Sequence, residues 1–165
     1  MAILNPIFPV LGLSTIAATA RQSGNQVEVL DLSMLPYEYN YVMEKIKNYK
    51  PDVIGITALK PTVKQLFDIS FLAKDVSKNI FVVCGGPHAS SLPVQTMHES
   101  NLDAVFIGEA DYSFAELCNG VPLKEIRGLY YRDEDEIIYT GPRKPIHNLD
   151  DLPMPAWDLF DPNYY

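Results

Sequence analysis

The sequence predicts an α/β domain: a doubly wound, five-stranded parallel sheet flanked by helices, followed by a C-terminal β-hairpin and a proline-rich arm. Three observations carry that prediction. Short β-rich apolar runs alternate with longer stretches of helical periodicity. The middle runs, Val53-Ile54-Gly55-Ile56 and Ile80-Phe81-Val82-Val83-Cys84, are apolar almost throughout, the pattern of strands covered on both faces. The connections are short enough to require right-handed crossovers, which gives the Rossmann-like or flavodoxin-like arrangement.

The expected strands fall at 2–5, 26–31, 52–57, 80–84 and 103–107, the first only a few residues long before Asn5-Pro6. Between them, 12–23 is rich in Ala, with Gly24 as its stop. Val42, Ile46 and Tyr49 fall on one face of a second helix that Pro51 ends. The longest helical pattern is 60–78, where Pro61 suits the first turn and Val63, Leu66, Phe67, Ile69, Leu72, Ala73 and Val76 make a broad apolar stripe. A short helix follows at 93–99, and Asp111 reads as the N-cap of another at 112–118 that stops at Asn119-Gly120.

After Gly120 the character changes. Residues 128–132 and 137–140 flank the acidic run 133–136 and read as a hairpin, with the acidic run as its solvated turn. Five of the 13 prolines then fall between Pro142 and Pro162 among aspartates, as in a linker or an arm lying on a surface. Trp157 is expected to anchor that arm. The organisation expected is a ligand-binding domain at 1–120, a hairpin extension at 121–148 and a linker at 149–165.

Composition narrows the function. A chain of 165 residues can bury roughly 70% of its surface without disulfides or metals. Two cysteines, Cys84 and Cys118, are too few for a disulfide framework or a cysteine-ligated metal site and are expected in the core. A net charge of −8 argues against nucleic acid or an anionic membrane as partner. No apolar run has the roughly 18 residues of a membrane helix, so no membrane insertion and a cytoplasmic location are expected.

Ligands of open α/β sheets bind beyond the carboxyl ends of the strands. The loops there are 5–13, 57–62, 85–91 and 108–111, and three of the four are built from Gly, Ala, Pro, Ser and Thr. Small residues at such a rim let backbone amides approach a bulky ligand. Several occupants are disfavoured: there is no G-x-G-x-x-G after the first strand, no Walker lysine loop, Thr57 where a phospho-receiver has Asp, and no Ser/Thr-rich phosphate loop.

Thr57-x-Leu59 and Gly85-Gly86 resemble the S-x-L and G-G elements of cobalamin-binding domains. The ordered set Asn5-Pro6…Gly12-Leu13, 51–57, Gly85-Gly86-Pro87-His88-Ala89-Ser90, Gly108-Glu109 and the tail 149–158 ending Pro-Ala-Trp-Asp resembles one family. This is the N-terminal cobalamin (vitamin B12)-binding domain of cobalamin-dependent radical S-adenosylmethionine enzymes, which include anaerobic magnesium-protoporphyrin ester cyclases and radical methylases.

The resemblance implies that cobalamin lies across the strand ends. It implies contacts from Gly12 and Leu13, from Thr57, Ala58, Leu59, Lys60 and Thr62, from Gly85, Gly86, Pro87 and His88, and from Gly108 and Glu109. The hydroxyls of Thr57 and Thr62 would serve the corrin amides and the tail phosphate. The family often has G-E-G-E where this chain has Gly108-Glu109-Ala110-Asp111. His88 reads either as a corrin contact or as a loop histidine bonded to backbone. Gly86→Leu is expected to block binding more than it lowers stability.

The mutases and methionine synthase carry D-x-H-x-x-G after the first strand, with a cobalt-ligating His. Here the only histidines are His88, His98 and His147, so cobalt is expected to lack a protein ligand from that position; no catalytic residue is expected in this module. The S-adenosylmethionine and [4Fe-4S] cluster of the family need C-x-x-x-C-x-x-C, which two distant cysteines cannot supply. The chain therefore reads as the front module of a longer polypeptide whose radical S-adenosylmethionine domain lies elsewhere, and which does not turn over substrate alone. The alternatives are a non-catalytic regulatory or sensor module of this fold, or another small-molecule binding domain. A cysteine motif downstream would distinguish them.

Overall fold

The computed structural model describes residues 9–32 and 38–164. The elements run α1 (Leu11–Gln22), α2 (Tyr39–Tyr49), β1 (Val53–Thr57), a 3-10 turn (Lys60–Thr62), α3 (Val63–Val76), β2 (Phe81–Gly85), α4 (Pro87–Ser91), α5 (Pro93–His98), β3 (Ala104–Phe106), α6 (Asp111–Cys118), β4 (Leu129–Asp133) and β5 (Glu136–Tyr139). Short 3-10 turns at Leu149–Asp151, Trp157–Leu159 and Pro162–Tyr164 punctuate the arm.

The α/β, Rossmann-like class expected from the sequence is present, with five strands in the order β1-β2-β3-β4-β5. Their directions are mixed. β1, β2 and β3 are parallel, whereas β4 and β5 pair antiparallel, Phe106 opposite Leu129 and Tyr131 opposite Ile138. The hairpin is thus part of the sheet. Leu129 and Tyr131 bury themselves beside Ala104 and Phe106, and Gly128 accepts the Ile107 N–H at 2.8 Å. The expected strand at 2–5 lies outside the described residues. Residues 26–31 join no ladder among the described residues; Val27 and Val29 seat against Ala17 and Ala18, and Leu30 faces the other core.

Period-two alternation splits β2 between two cores. Val82 and Cys84 face α2, α3 and α5 with Leu66, Leu72 and Met97, while Phe81 and Val83 face α6 with Phe114. Both faces are covered, which is why the run 80–84 is uniformly apolar. Each fully buried Leu or Val side chain contributes roughly 1.5–3 kcal/mol.

At the amino-terminal edge of the parallel strands, Asp103 Oδ2 accepts hydrogen bonds from Lys74 Nζ at 2.6 Å and from the Val82 N–H at 2.6 Å. Lys74 also donates to the Ile80 carbonyl at 2.7 Å. This one cluster fixes α3 to the starts of β2 and β3.

α1 and α6 pack together and run in the same direction, since Asn25 Nδ2, just after α1, donates to Asn119 Oδ1, just after α6, at 2.9 Å. Both helices therefore begin at the carboxyl edge of the parallel strands.

Candidate functional site at the strand ends

Four chain segments meet at that edge. Thr57 and Gly85 are register partners that close the β1–β2 ladder, and the chain turns away immediately after each. Thr57 is exposed, Ala58 buried, and Leu59 is 57% exposed. Lys60 and Thr62 are also exposed, but the Thr62 hydroxyl accepts the Leu59 N–H and donates to the Leu59 carbonyl, both at 3.1 Å. That hydroxyl holds its own turn together, leaving Thr57 as the free one of the two threonines. Ala58 can offer only backbone.

Gly86 sits at φ 93°, and a Cβ there would stand 2.9 Å from Thr57 Oγ1 and 3.4 Å from the Ala58 carbonyl. Its carbonyl accepts the Ser90 N–H at 2.9 Å and so starts α4. The glycine is demanded by the loop itself. Gly86→Leu, expected to block binding more than it lowers stability, therefore carries a stability cost of its own, because the space a side chain needs is already filled by protein.

Gly12 and Gly85 differ. Both lie outside the left-handed region; among the described residues, Gly12 has nothing within 4 Å of an added Cβ, and Gly85 only ordinary contacts with Phe106 at 3.8 Å and beyond. Among the described residues neither place requires glycine, and Gly12 leaves open space at the rim. Leu13 follows, half-buried, in the first turn of α1.

Pro87 is exposed at the first position of α4, and His88 is half-buried behind it. The His88 ring has no hydrogen-bond partner among the described residues, and its carbonyl accepts the Leu92 N–H. The reading of a histidine bonded to backbone through its ring is corrected. Ser90, absent from the expected set, links two loops by accepting the Gly108 N–H on Oγ at 3.3 Å.

On the far side, Gly108 and Glu109 are exposed, and Glu109 Oε2 accepts the Ile146 N–H at 2.8 Å, holding the start of the arm at the rim. Asp111 is the first residue of α6, whose N-cap is Ala110 with no side-chain cap. The expected capping role is corrected: Asp111 is 92% buried, and among the described residues its Oδ1 has no partner and no hydrogen bond or ion pair reaches the carboxylate. Sequence spacing alone could not separate a cap from a buried carboxylate.

The arm continues from Ile146 to α1, where the Ala156 N–H donates to the Ser14 carbonyl at 3.1 Å. Asp158 pairs with Arg21 at 2.6 and 2.9 Å. The pair holds the Asp158 carboxyl below, and the Arg21 guanidinium above, their ordinary ranges. Ala156 and Phe160 are the buried anchors, whereas Trp157 is 43% exposed against the Phe160 ring. Trp157 is therefore not the anchor expected of it.

Burial pushes the Cys84 thiol up to about 12 and Cys118 up to about 11, so neither offers a thiolate at neutral pH. Among the described residues no group of three or more His, Cys, Asp or Glu is placed to hold a metal, and no helix is long and apolar enough to cross a membrane.

The B12-binding domain family matches residues 2–118. The chain belongs to that family. It is 34% identical over 162 residues to an uncharacterized methyltransferase of Pyrococcus horikoshii, covering 95% of this chain and 35% of the relative. It is 29% identical to the anaerobic magnesium-protoporphyrin IX monomethyl ester cyclase of Rubrivivax gelatinosus, covering 73% and 23%. The solved structure of the cobalamin-dependent S-adenosylmethionine radical enzyme OxsB, with aqua-cobalamin and S-adenosylmethionine bound, shares the fold at a TM-score of 0.78 and 20% identity, over 92% of this chain and 22% of that one. The B12-binding domain described here thus spans about a third or less of the length of these relatives.

Proposed function

We propose that this chain is the cobalamin-binding module of a radical S-adenosylmethionine enzyme of the methyl-transfer or porphyrin-cyclising kind. The observation that carries the proposal is the rim at Gly12 and Gly85, glycines that no contact among the described residues requires, in a member of the B12-binding domain family. A corrin presents broad apolar faces and a periphery of amides. The rim suits both: Leu59 is an exposed apolar surface, the Thr57 hydroxyl is free to pair with an amide, and the first turns of α1 and α6 begin there.

In this reading Gly12, Leu13 and Gly85 seat the macrocycle, and Thr57, Leu59 and Lys60 border it on the β1 side. Gly86, Pro87 and His88 form the middle of the rim. Gly108 and Glu109 form the far side, where Glu109 also steadies the arm. Bound cobalamin supplies cobalt–carbon chemistry, and the chain's residues position it and limit access to it. Residues 1–10 contain no histidine, so they offer cobalt no imidazole. S-adenosylmethionine and a [4Fe-4S] cluster would belong to a separate radical domain of the same longer polypeptide.

The test is retention of corrin. Purified protein mixed with hydroxocobalamin, with and without oxygen, and then desalted should elute with a corrin visible spectrum near one equivalent. Elution of all corrin in the small-molecule fraction would overturn the proposal.

A further inference from the structure

Asp111 is the one buried side chain among the described residues with an oxygen that finds no partner. Asp111 is 92% buried and is the first residue of the eight-residue helix α6, which follows the exposed Gly108 and Glu109 in the chain. Leaving a carboxylate buried and unpaired costs stability, and proteins keep such groups where a ligand satisfies them. The chemistry of the group specifies that ligand. A carboxylate accepts hydrogen bonds and repels phosphate. A cation site would need further oxygen ligands, and no acidic or histidine cluster surrounds Asp111 among the described residues.

We infer that Asp111 accepts a hydrogen bond from an N–H of a corrin side-chain amide, and thereby fixes which edge of the macrocycle lies at the end of β3. The inference rests on the cobalamin reading above. It assigns discrimination between amide and carboxylate peripheries to a residue whose carboxylate makes no hydrogen bond or ion pair among the described residues. Loss of function and gain of stability should therefore go together, which a structural aspartate would not give.

The experiment compares wild type, Asp111→Ala and Asp111→Asn. Each is titrated with cobinamide, which keeps the amides and lacks the nucleotide tail, and with cobyrinic acid, which carries carboxylates instead. The ligand-free melting temperature is measured alongside. Wild type should prefer cobinamide by about tenfold or more, the scale of one charge-assisted hydrogen bond. Asp111→Ala should lose about tenfold on cobinamide with an unchanged or higher melting temperature. Asp111→Asn, still an acceptor but uncharged, should keep cobinamide and narrow the preference. If Asp111→Ala binds cobinamide like wild type, or melts several degrees lower, the inference fails while the cobalamin reading stands. If wild type retains neither corrin, both fail.

Discussion

The Thr57 hydroxyl stands 2.9 Å from the position a Cβ would take on Gly86, so the ends of β1 and β2 close on each other through a threonine and a glycine. The left-handed φ of 93° adds a second constraint on the same residue. A side chain at such a φ costs roughly 1–2 kcal/mol, and the overlap roughly 1–3 more. Gly86→Ala should lower stability by about 2–5 kcal/mol in urea unfolding. Adding Thr57→Ala should return the part due to overlap and leave the part due to φ, so the double mutant is less destabilised than the sum. Strict additivity would show that the two residues do not compete for space.

Gly12 should behave in the opposite way. It lies in the first turn of α1 with nothing among the described residues within 4 Å of an added Cβ, and replacing a helical glycine usually gains about 0.5–1 kcal/mol. Gly12→Leu is expected to melt at or above the wild-type temperature while retaining far less hydroxocobalamin after desalting. A variant that keeps its corrin would remove Gly12 from the cofactor rim.

Asp103 provides a control at the other edge of the sheet. Its carboxylate joins Lys74, whose side chain is only 13% exposed, to the Val82 N–H. Asp103→Ala strands a mostly buried ammonium and a strand-end amide, a loss of about 2–4 kcal/mol. Denaturant melts should show that loss, and corrin retention should stay unchanged wherever the variant remains folded.

The Arg21–Asp158 pair makes docking of the arm pH-dependent. Its Asp158 carboxyl titrates below the ordinary value near 3.8, chiefly through the hydrogen bonds from Arg21. A carboxyl depressed in the folded state contributes its stabilisation above the ordinary value and loses it as pH falls through the depressed one. Trp157 is the single tryptophan and adjoins Asp158, so its fluorescence reports the arm directly. Arg21→Ala should raise its mobility at neutral pH without unfolding the sheet, and wild type should approach that state only in acid. Identical tryptophan anisotropy in the two proteins at pH 7 would show that Ala156 and Phe160 hold the arm without the pair.

The sequence by itself determined the alternation of strand and helix, the two-faced burial of 80–84 and the glycine-bearing loops at the strand ends. These depend on neighbours along the chain: hydrophobic period, proline and glycine stops, and residue size. The order of motifs also led to the B12-binding domain family, since each motif occupies a fixed place in the fold. The tertiary structure decided what depends on surfaces meeting. It set β4 antiparallel beside β3, because Leu129 and Tyr131 find Ala104 and Phe106 there. It left 26–31 unpaired among the described residues, and made Ala156 and Phe160 the anchors in place of Trp157. It also separated two kinds of rim glycine, Gly86 required by Thr57 and Gly12 required by nothing among the described residues, and it buried Asp111 without a partner among them. Those distinctions come from distances between residues far apart in sequence, which local pattern and residue type do not encode.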